Sequence, residues 1–195
     1  MNIVLFDDPN IREDLMPFTL TRPVGNLRVG ILTLDQKWSH YSGGPCSFFT
    51  EPYLREKYPA SPAADALHIN GALCPDDQLW NAIKSLSAGE SLMEGDRLLA
   101  VNGSQPKRTA NAKTFSGTGV WIDQVWNIFQ HNGSQLRADF SRLTAGKKSQ
   151  PITDPHTRVY QPENIFLEEG VQLHACVLNA STGPIYLGRN AQVQE

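Results

Sequence analysis

The sequence predicts an α/β domain followed by the first coils of a β-solenoid. A short apolar N-terminal segment ends at Asp7-Asp8-Pro9, as a buried parallel strand ends at the carboxyl edge of a sheet. Residues 66–101 then show a strand, helix, strand pattern, which is the repeating unit of α/β folds. From Ile165 onward, a six-residue period appears, which is the repeat of a triangular β-solenoid.

The composition and charge of the chain exclude several classes of partner. The chain has 195 residues, of which 40% are hydrophobic, enough for one core and an appendage. Lys and Arg total 17 against 20 Asp and Glu, the net charge is −3, and no dense basic run indicates a nucleic-acid or anionic-membrane partner. No basic segment precedes the N-terminal apolar run, and no apolar stretch reaches the ~20 residues that cross a bilayer. We therefore expect a cytoplasmic protein without nucleic-acid or membrane partners.

The first elements are a strand over 2–6 and a long loop over 11–38. The strand is a run of β-forming residues. The loop is rich in Thr, Pro and Gly but still apolar, so we expect it to be ordered and packed on the domain. We expect a helix in the part of this loop that contains Leu32, Leu34 and Trp38.

A strand over 66–69, a helix over 76–86 and a strand over 97–101 form the next unit. Apolar residues of the helix recur at i, i+4 and i+7, which places them on one face against the sheet. These residues are Leu79, Ile83 and Leu86. Turn-prone residues separate the elements, and we expect a right-handed parallel crossover between the two strands.

Helical spacing returns over 121–129 and 134–143, after a polar loop over 104–119. The sequence then becomes polar and is interrupted by proline, which is typical of a connecting segment. We place the domain boundary near residue 155, so the two predicted domains are 1–155 and 156–195.

The C-terminal residues carry the six-residue period. The repeated position holds Leu167, Leu173, Asn179 and Ile185, and after a slip the period resumes at Leu187 and Val193. One rung of a β-solenoid face takes six residues and points an aliphatic side chain inward, which this pattern fits. Ordinary strands of an edge sheet are the alternative, since Asn179 and the slip interrupt the pattern. Each coil rests on its neighbours, so we expect the natural chain to continue beyond Glu195.

Several segments in a fixed order resemble a known family: MNIVLFDD, PFTLTRPVGNLRVGILTLDQKW, INGALCPDD, WNIFQHNGSQLRADF and GPIYLGRNAQVQE. The chain resembles bacterial proteins that join a sugar-1-phosphate nucleotidyltransferase domain to a hexapeptide-repeat acyltransferase β-helix, of the glucosamine-1-phosphate uridylyltransferase/acetyltransferase kind. Within them it is similar to a divergent, compact branch of sugar nucleotidyltransferases. The resemblance implies a compact Rossmann-like nucleotide-diphospho-sugar transferase domain, followed by the start of a left-handed β-helix.

The same resemblance implies an activity. A nucleotidyl group would pass from a nucleoside triphosphate to a sugar-1-phosphate with release of pyrophosphate, as in the synthesis of UDP-N-acetylglucosamine. The implied cofactor is Mg²⁺, and the implied assembly is a homotrimer of the full-length protein.

The resemblance also assigns phosphate-binding residues. The segment 17–23 is similar to the family stretch that leads to a Pro-Lys pair, and arginine suits phosphate because its planar fork donates two hydrogen bonds at once. Surface or ion-paired arginines are the alternative interpretation. We assign catalysis to Arg22 and Lys37, and substrate binding to Arg12, Thr21 and Arg28.

A second group of predicted site residues follows the strand over 66–69. The family has a Gly-Asp step at this point, where the carboxylate helps to hold magnesium, whereas this chain has Asn70-Gly71-Ala72. We predict substrate binding by Asn70 and Gly71, because an amide can bind a sugar hydroxyl and a glycine lets backbone approach a ligand. A strand-ending turn is the alternative. Asp76 or Asp77 could replace the missing carboxylate, so the metal ligands stay unassigned.

Two functions from different classes follow from these residues. The first is an enzyme, a sugar nucleotidyltransferase, which the TLTRP motif and its neighbouring cations favour. The second is a non-catalytic module that binds a sugar nucleotide or caps a hexapeptide-repeat acyltransferase. Two departures from the family favour the module: residues 7–14 contain no glycine, and Val24 stands where the family has a lysine after Pro23.

Overall fold

Strand β1 (Ile3–Phe6) lies inside a six-stranded sheet and is buried along its whole length, as the sequence predicted. It pairs in parallel with β2 (Cys46–Phe49) on one side and with β3 (Leu67–Asn70) on the other. The computed structural model describes residues 2–60 and 66–194. The chain divides into two compact units, Met1–Asn132 and Gly133–Glu195.

The second half of the sheet corrects the predicted topology. Strand β3 pairs antiparallel with β6 (Arg97–Asn102), so the parallel crossover predicted between these two strands is wrong. A strand that the sequence analysis missed, β5 (Glu90–Glu94), precedes β6 and forms an antiparallel hairpin with it. Gly95 has a φ of 59° in the turn of this hairpin, a conformation that glycine adopts without strain.

One further strand completes the sheet. Strand β7 (Asn111–Thr114) pairs in parallel with β5, and the strand order is β2-β1-β3-β6-β5-β7. A separate antiparallel pair joins two-residue strands, β4 (Leu73–Cys74) and β8 (Val120–Trp121).

Four α-helices accompany these strands in the described residues. They are α1 (Pro9–Asp14), α2 (Leu34–Ser42), α3 (Asp77–Lys84) and α4 (Val125–Thr144). Helix α2 confirms the helix expected around Leu34 and Trp38. Helix α3 confirms the predicted apolar face, since Leu79 and Ile83 are fully buried. Helix α4 is continuous and replaces the two predicted helical segments 121–129 and 134–143.

A single apolar cluster fills the first unit. The indole N–H of Trp38 donates to the carbonyl oxygen of Leu73 at 3.0 Å, so the buried tryptophan on α2 is hydrogen-bonded to β4. The largest fully buried side chains of this cluster include Trp38, Ile3, Leu5, Leu15, Leu34, Ile69, Leu73, Leu79, Ile83, Leu99 and Ile122.

The second unit contains three parallel strand pairs. Strand β9 (Arg158–Tyr160) pairs with β12 (Val177–Asn179), β10 (Ile165–Leu167) with β13 (Ile185–Leu187), and β11 (Gln172–His174) with β14 (Gln192–Gln194). The two compact units divide inside α4, N-terminal to the boundary that the sequence analysis placed near residue 155. That boundary stays a prediction.

The core of the second unit follows the six-residue period with one displacement. Leu167 and Leu173 are buried, as the period requires. In β12 the buried side chain is Leu178, and Asn179 is exposed, so the inward position lies one residue before the predicted one. Ala175, just before this strand, has a φ of 50°, and a left-handed residue redirects the chain at that point.

Candidate functional site

The carboxyl ends of β1 and β3 create a crevice in the first unit. The chain leaves β1 to form β2 on one side of it, and returns to form β3 on the other side. Where consecutive connections leave neighbouring parallel strands in opposite directions, a crevice opens beyond the strand ends, and α/β proteins bind ligands there. We call this place the switch point.

Backbone packing at the switch point explains Gly71. Its N–H donates to the carbonyl oxygen of Phe6 at 2.8 Å, which ties the end of β3 to the end of β1. A Cβ on Gly71 would lie 3.0 Å from the backbone nitrogen of Gly25 and 3.2 Å from the Phe6 oxygen. Because both neighbours are backbone atoms, a larger residue has no space here, so Gly71 maintains the close approach of two chain segments.

A cleft of about 410 Å³ opens at the switch point, which lies within the usual volume range of small-molecule sites. We call it the switch-point cleft. Its lining combines carboxylates, amides and one cation: Asp8, Asn10, Ile11, Asp14, Asn70, Asp96, Arg97, Leu98, Trp121, Asp123 and Gln124.

The helix α1 side of the cleft is shaped by Asp8. Its carboxylate accepts hydrogen bonds from the N–H groups of Asn10 at 3.0 Å and Ile11 at 3.3 Å, and so caps the helix. At the other end of α1, Asp14 accepts a hydrogen bond from the side-chain amide of Gln124 at 3.1 Å. These bonds fix two carboxylates at the rim of the cleft.

Asn70 borders the same cleft but is itself hydrogen-bonded within the fold. Its side-chain oxygen accepts from the N–H of Ala72 at 3.1 Å, and its amide donates to the carbonyl oxygen of Leu98 at 3.3 Å. The residue is 2% exposed. Asn70 therefore holds β3 against the start of β6 and presents only a small surface to the cleft.

The opposite side of the cleft carries Arg97. Its Nη1 lies 2.8 Å from Oδ2 of Asp123, and its guanidinium carbon lies 5.0 Å from the centroid of the Trp121 ring. The indole N–H of Trp121 donates to Oε2 of Glu94 at 2.6 Å, and the N–H of Gly119 donates to the other oxygen at 2.7 Å. Turn-prone residues before the strand predicted over 97–101 indicated only a turn at this point, and no pattern in the sequence indicated a role for Arg97.

The charge of the cleft is negative. Among the described residues that line it, Asp8, Asp14, Asp96 and Asp123 face a single cation, Arg97. The described part of the chain contains no group of three or more His, Cys, Asp or Glu side chains placed to hold a metal ion. Proteins often hold Mg²⁺ with only one or two carboxylates together with substrate phosphates, and the carboxylates of this cleft fit that donor set.

Asp7, which precedes the cleft residue Asp8, joins three segments of the chain. Its carboxylate accepts from the N–H of Val24 at 2.9 Å and from the hydroxyl of Thr50 at 2.5 Å, and it forms an ion pair with Arg12 at 3.2 Å. Burial raises the pKa of the Asp7 carboxyl, while the hydrogen bonds from Thr50 and Val24 and the charge of Arg12 oppose that rise.

Arg12, predicted to bind substrate, is buried in this network. Its Nη2 donates to the carbonyl oxygen of Thr19 at 2.5 Å and to the hydroxyl of Tyr53 at 2.6 Å, in addition to the ion pair with Asp7. The Tyr53 hydroxyl in turn donates to the carbonyl oxygen of Leu20 at 3.0 Å. These contacts show Arg12 organising the loop that follows α1.

The other predicted site residues in residues 21–37 differ in how deeply they are buried. Arg22 and Thr21 are exposed on the loop, and Arg28 is exposed with its guanidinium donating to the carbonyl oxygen of Ile31. Lys37 is 3% exposed on α2. Of the predicted site residues, Asn70 lines the switch-point cleft, whereas none of the predicted cations does. The catalytic and phosphate-binding roles of these cations therefore stay predictions.

The alternative carboxylates after β3 lie outside the cleft lining. Asp76 is the N-cap of α3, where its side chain accepts from the N–H of Leu79 at 2.7 Å. Asp77 stands in the first turn of the same helix, where a negative charge is favourable. Their place at the helix start gives both residues a structural role.

Comparison with protein families decides the class of the protein. A family model described as sugar nucleotidyl transferase matches residues 3–148, which is more than half of the chain. The chain belongs to this family. The match includes every residue that lines the switch-point cleft and implies a nucleotide and a sugar phosphate as substrates of the domain.

Two further findings complete the comparison. A search of curated proteins found no match to the chain. In the described ranges, 2–60 and 66–194, the structure contains no helix with the length and apolar character that a membrane span requires.

Proposed function

We propose that this chain transfers a nucleotidyl group from a nucleoside triphosphate to a sugar-1-phosphate. The observation that supports this proposal is the switch-point cleft, which lies where α/β folds bind nucleotides and falls within the matched family region. The polar lining suits charged, hydroxyl-rich ligands better than apolar ones.

The reaction needs no covalent intermediate on the protein. A phosphate oxygen of the sugar-1-phosphate attacks the α-phosphorus of the nucleotide, a new P–O bond forms, and the bond to the β-phosphate breaks to release pyrophosphate. Catalysis then rests on alignment of the two substrates and on neutralisation of their charge. We assign charge neutralisation to Arg22 and Arg28, which are exposed, and retain Lys37 as the second predicted catalytic residue.

A divalent cation belongs to this proposal. We propose that Mg²⁺ is held by one or two of the carboxylates that line the cleft, Asp8, Asp14, Asp96 and Asp123, together with substrate phosphates. When bound, it would neutralise phosphate charge. By resemblance we propose UDP-N-acetylglucosamine as the product, with UTP and N-acetylglucosamine-1-phosphate as substrates.

The C-terminal unit supports a second part of the proposal. We propose that Gly133–Glu195 contains the first coils of a left-handed β-helix, and that the full-length protein carries an acyltransferase domain and forms a homotrimer. Three successive strands each pair in parallel with the third strand after them, which is the pairing that a triangular coil requires.

One observation favours a non-catalytic module as the second candidate function. Phosphate-binding loops direct backbone N–H groups at the ligand. Here the N–H of Val24 donates to the buried Asp7 carboxylate instead, and the segment after β1 that contains α1 has no glycine between residues 7 and 14. A module that binds a finished sugar nucleotide, or caps an acyltransferase, needs fewer phosphate contacts than an enzyme.

Pyrophosphate release separates the two candidates. The purified protein is mixed with Mg²⁺, a panel of nucleoside triphosphates, and glucosamine- or N-acetylglucosamine-1-phosphate. Arg22→Ala is compared with Arg108→Ala, which removes an exposed arginine from the loop between β6 and β7. Release that falls in Arg22→Ala but not in Arg108→Ala supports the enzyme. Absence of release with every substrate pair, together with binding of a nucleotide sugar, supports the module.

A further inference from the structure

We propose that Arg97 binds a substrate phosphate in the switch-point cleft. The inference rests on the proposed function, because it assigns a role within the same cleft. Arg97 is the one cation among the described residues that line it, and it faces four carboxylates. A phosphate that enters so acidic a cleft needs a positive partner, and Arg97 is the side chain placed to supply it.

The guanidinium of Arg97 is held in place before any substrate arrives. One face of it lies over the Trp121 ring at 5.0 Å, and Nη1 contacts Asp123 at 2.8 Å. A guanidinium has five N–H donors in one plane, so stacking on an aromatic ring leaves donor edges available for phosphate oxygens. The side chain is 53% exposed, so a ligand can reach it.

Arg97 has more contacts around it than an exposed ion pair alone would need, because the ring on which it stacks is itself hydrogen-bonded. Trp121 is buried, and both oxygens of Glu94 are engaged, one by the Trp121 indole and the other by the N–H of Gly119. Exposed ion pairs contribute little to stability, so the arrangement gains little as a structural device. Its consequence is a fixed position for the guanidinium, which is what phosphate binding needs.

Glu94 is therefore a positioning residue, because it acts through Trp121. It fixes the indole ring, and the ring fixes the plane of the Arg97 guanidinium. Loss of Glu94 should disturb phosphate binding only while Arg97 is present. A purely structural role of Glu94 would give the same loss in either background.

The test measures the KM for the nucleoside triphosphate and for the sugar-1-phosphate separately. Arg97→Gln should raise one of these KM values by about tenfold or more, since a charge-assisted hydrogen bond is lost. Arg97→Lys keeps the charge and should recover part of the loss. Whichever KM rises identifies the phosphate that Arg97 binds. The matched control is Lys113→Gln, which removes a cation from the exposed Lys113–Glu90 pair on strands of the same sheet.

Several results would decide the proposal. Glu94→Gln should raise the same KM as Arg97→Gln, and should add nothing in the Arg97→Gln background. If neither KM changes by more than about twofold in Arg97→Gln, as we expect for Lys113→Gln, the proposal is overturned. If the wild-type protein releases no pyrophosphate, the proposed function fails. Binding of inorganic pyrophosphate with Mg²⁺ then decides Arg97 by itself: weaker binding to Arg97→Gln supports its role, and equal binding overturns it.

Discussion

The carboxylate of Asp7 lies 3.2 Å from the guanidinium of Arg12, and both side chains are only 6% exposed. Asp7 stands directly after β1, and Arg12 is on α1, so the ion pair closes the turn between them. Their other partners come from the loop after α1 and from the end of β2. The pair therefore fixes the turn between β1 and α1 and the start of α1, which contribute Asp8 and Asn10 to the lining of the switch-point cleft.

We expect Asp7→Ala to lower the free energy of unfolding by about 3–5 kcal/mol, because it leaves the Arg12 charge buried without its partner. The matched control is Glu169→Ala, which removes a partner from an ion pair of the same 3.2 Å length whose side chains are 74% and 67% exposed. That control should change stability by less than about 1 kcal/mol. Urea unfolding measures both, and equal effects would contradict the structural importance of the buried pair.

Gly71→Ala should destabilise the protein by about 1–3 kcal/mol, because the new Cβ meets backbone atoms that cannot move independently. It should also reduce pyrophosphate release, since the ends of β1 and β3 form the switch point. Gly44→Ala is the control, because a Cβ there has no neighbour within 4 Å and the backbone has no positive φ. Thermal unfolding compares the two variants, and a Gly71→Ala protein as stable as Gly44→Ala would refute the close-packing argument.

Stability should fall on acidification through a contribution from His68. Burial lowers the pKa of this imidazole, and its Nδ1 has no hydrogen-bond partner among the described residues. Below the ordinary pKa of about 6.5 the unfolded chain binds a proton that the folded chain resists, so stability decreases as pH falls from about 7 through that value toward the folded pKa.

The variant His68→Leu tests this contribution. It should flatten the dependence of unfolding free energy on pH between about 7.5 and 5.5. His174→Gln, which removes an exposed histidine, is the control for the loss of an imidazole. Urea titrations at several pH values measure the slope. An unchanged slope in His68→Leu would assign the acid sensitivity to other groups.

Asp123→Asn should tighten the binding of inorganic pyrophosphate, measured by calorimetry at low salt without a divalent cation. The substitution frees Nη1 of Arg97 and removes one negative charge from the cleft, and both changes favour an anion. We expect a gain of about threefold to tenfold, which corresponds to about 0.7–1.4 kcal/mol. Glu169→Gln, an equal change of charge in the second unit, serves as the control. Weaker binding to Asp123→Asn would mean that Asp123 acts mainly by holding Arg97 in position.

Patterns within one segment were enough to predict several elements. Strand β1 and its end at Asp7 follow from a short apolar run that stops at acidic residues and proline. The buried face of α3 follows from the spacing of Leu79 and Ile83. The buried leucines of the C-terminal unit follow from the six-residue period, except in β12, where Leu178 points inward instead of Asn179. The path of the backbone moves the inward-facing position by one residue in β12, and the six-residue period of the sequence does not show such a shift.

The sequence by itself determined these local elements, the family resemblance and the presence of several cations near residues 12–37. Only the tertiary structure decided which strand pairs with which, and which charges meet at a site. Strand β6 is antiparallel to β3 because it follows β5 in a hairpin, which reverses the direction of the chain. Arg12 is buried because Asp7, Thr19 and Tyr53, from three different segments, all contact its guanidinium. Arg97 reaches the cleft through contacts with Trp121 and Asp123. Local periodicity reports which face of a segment is apolar, whereas pairing and burial of charge depend on residues distant in the chain.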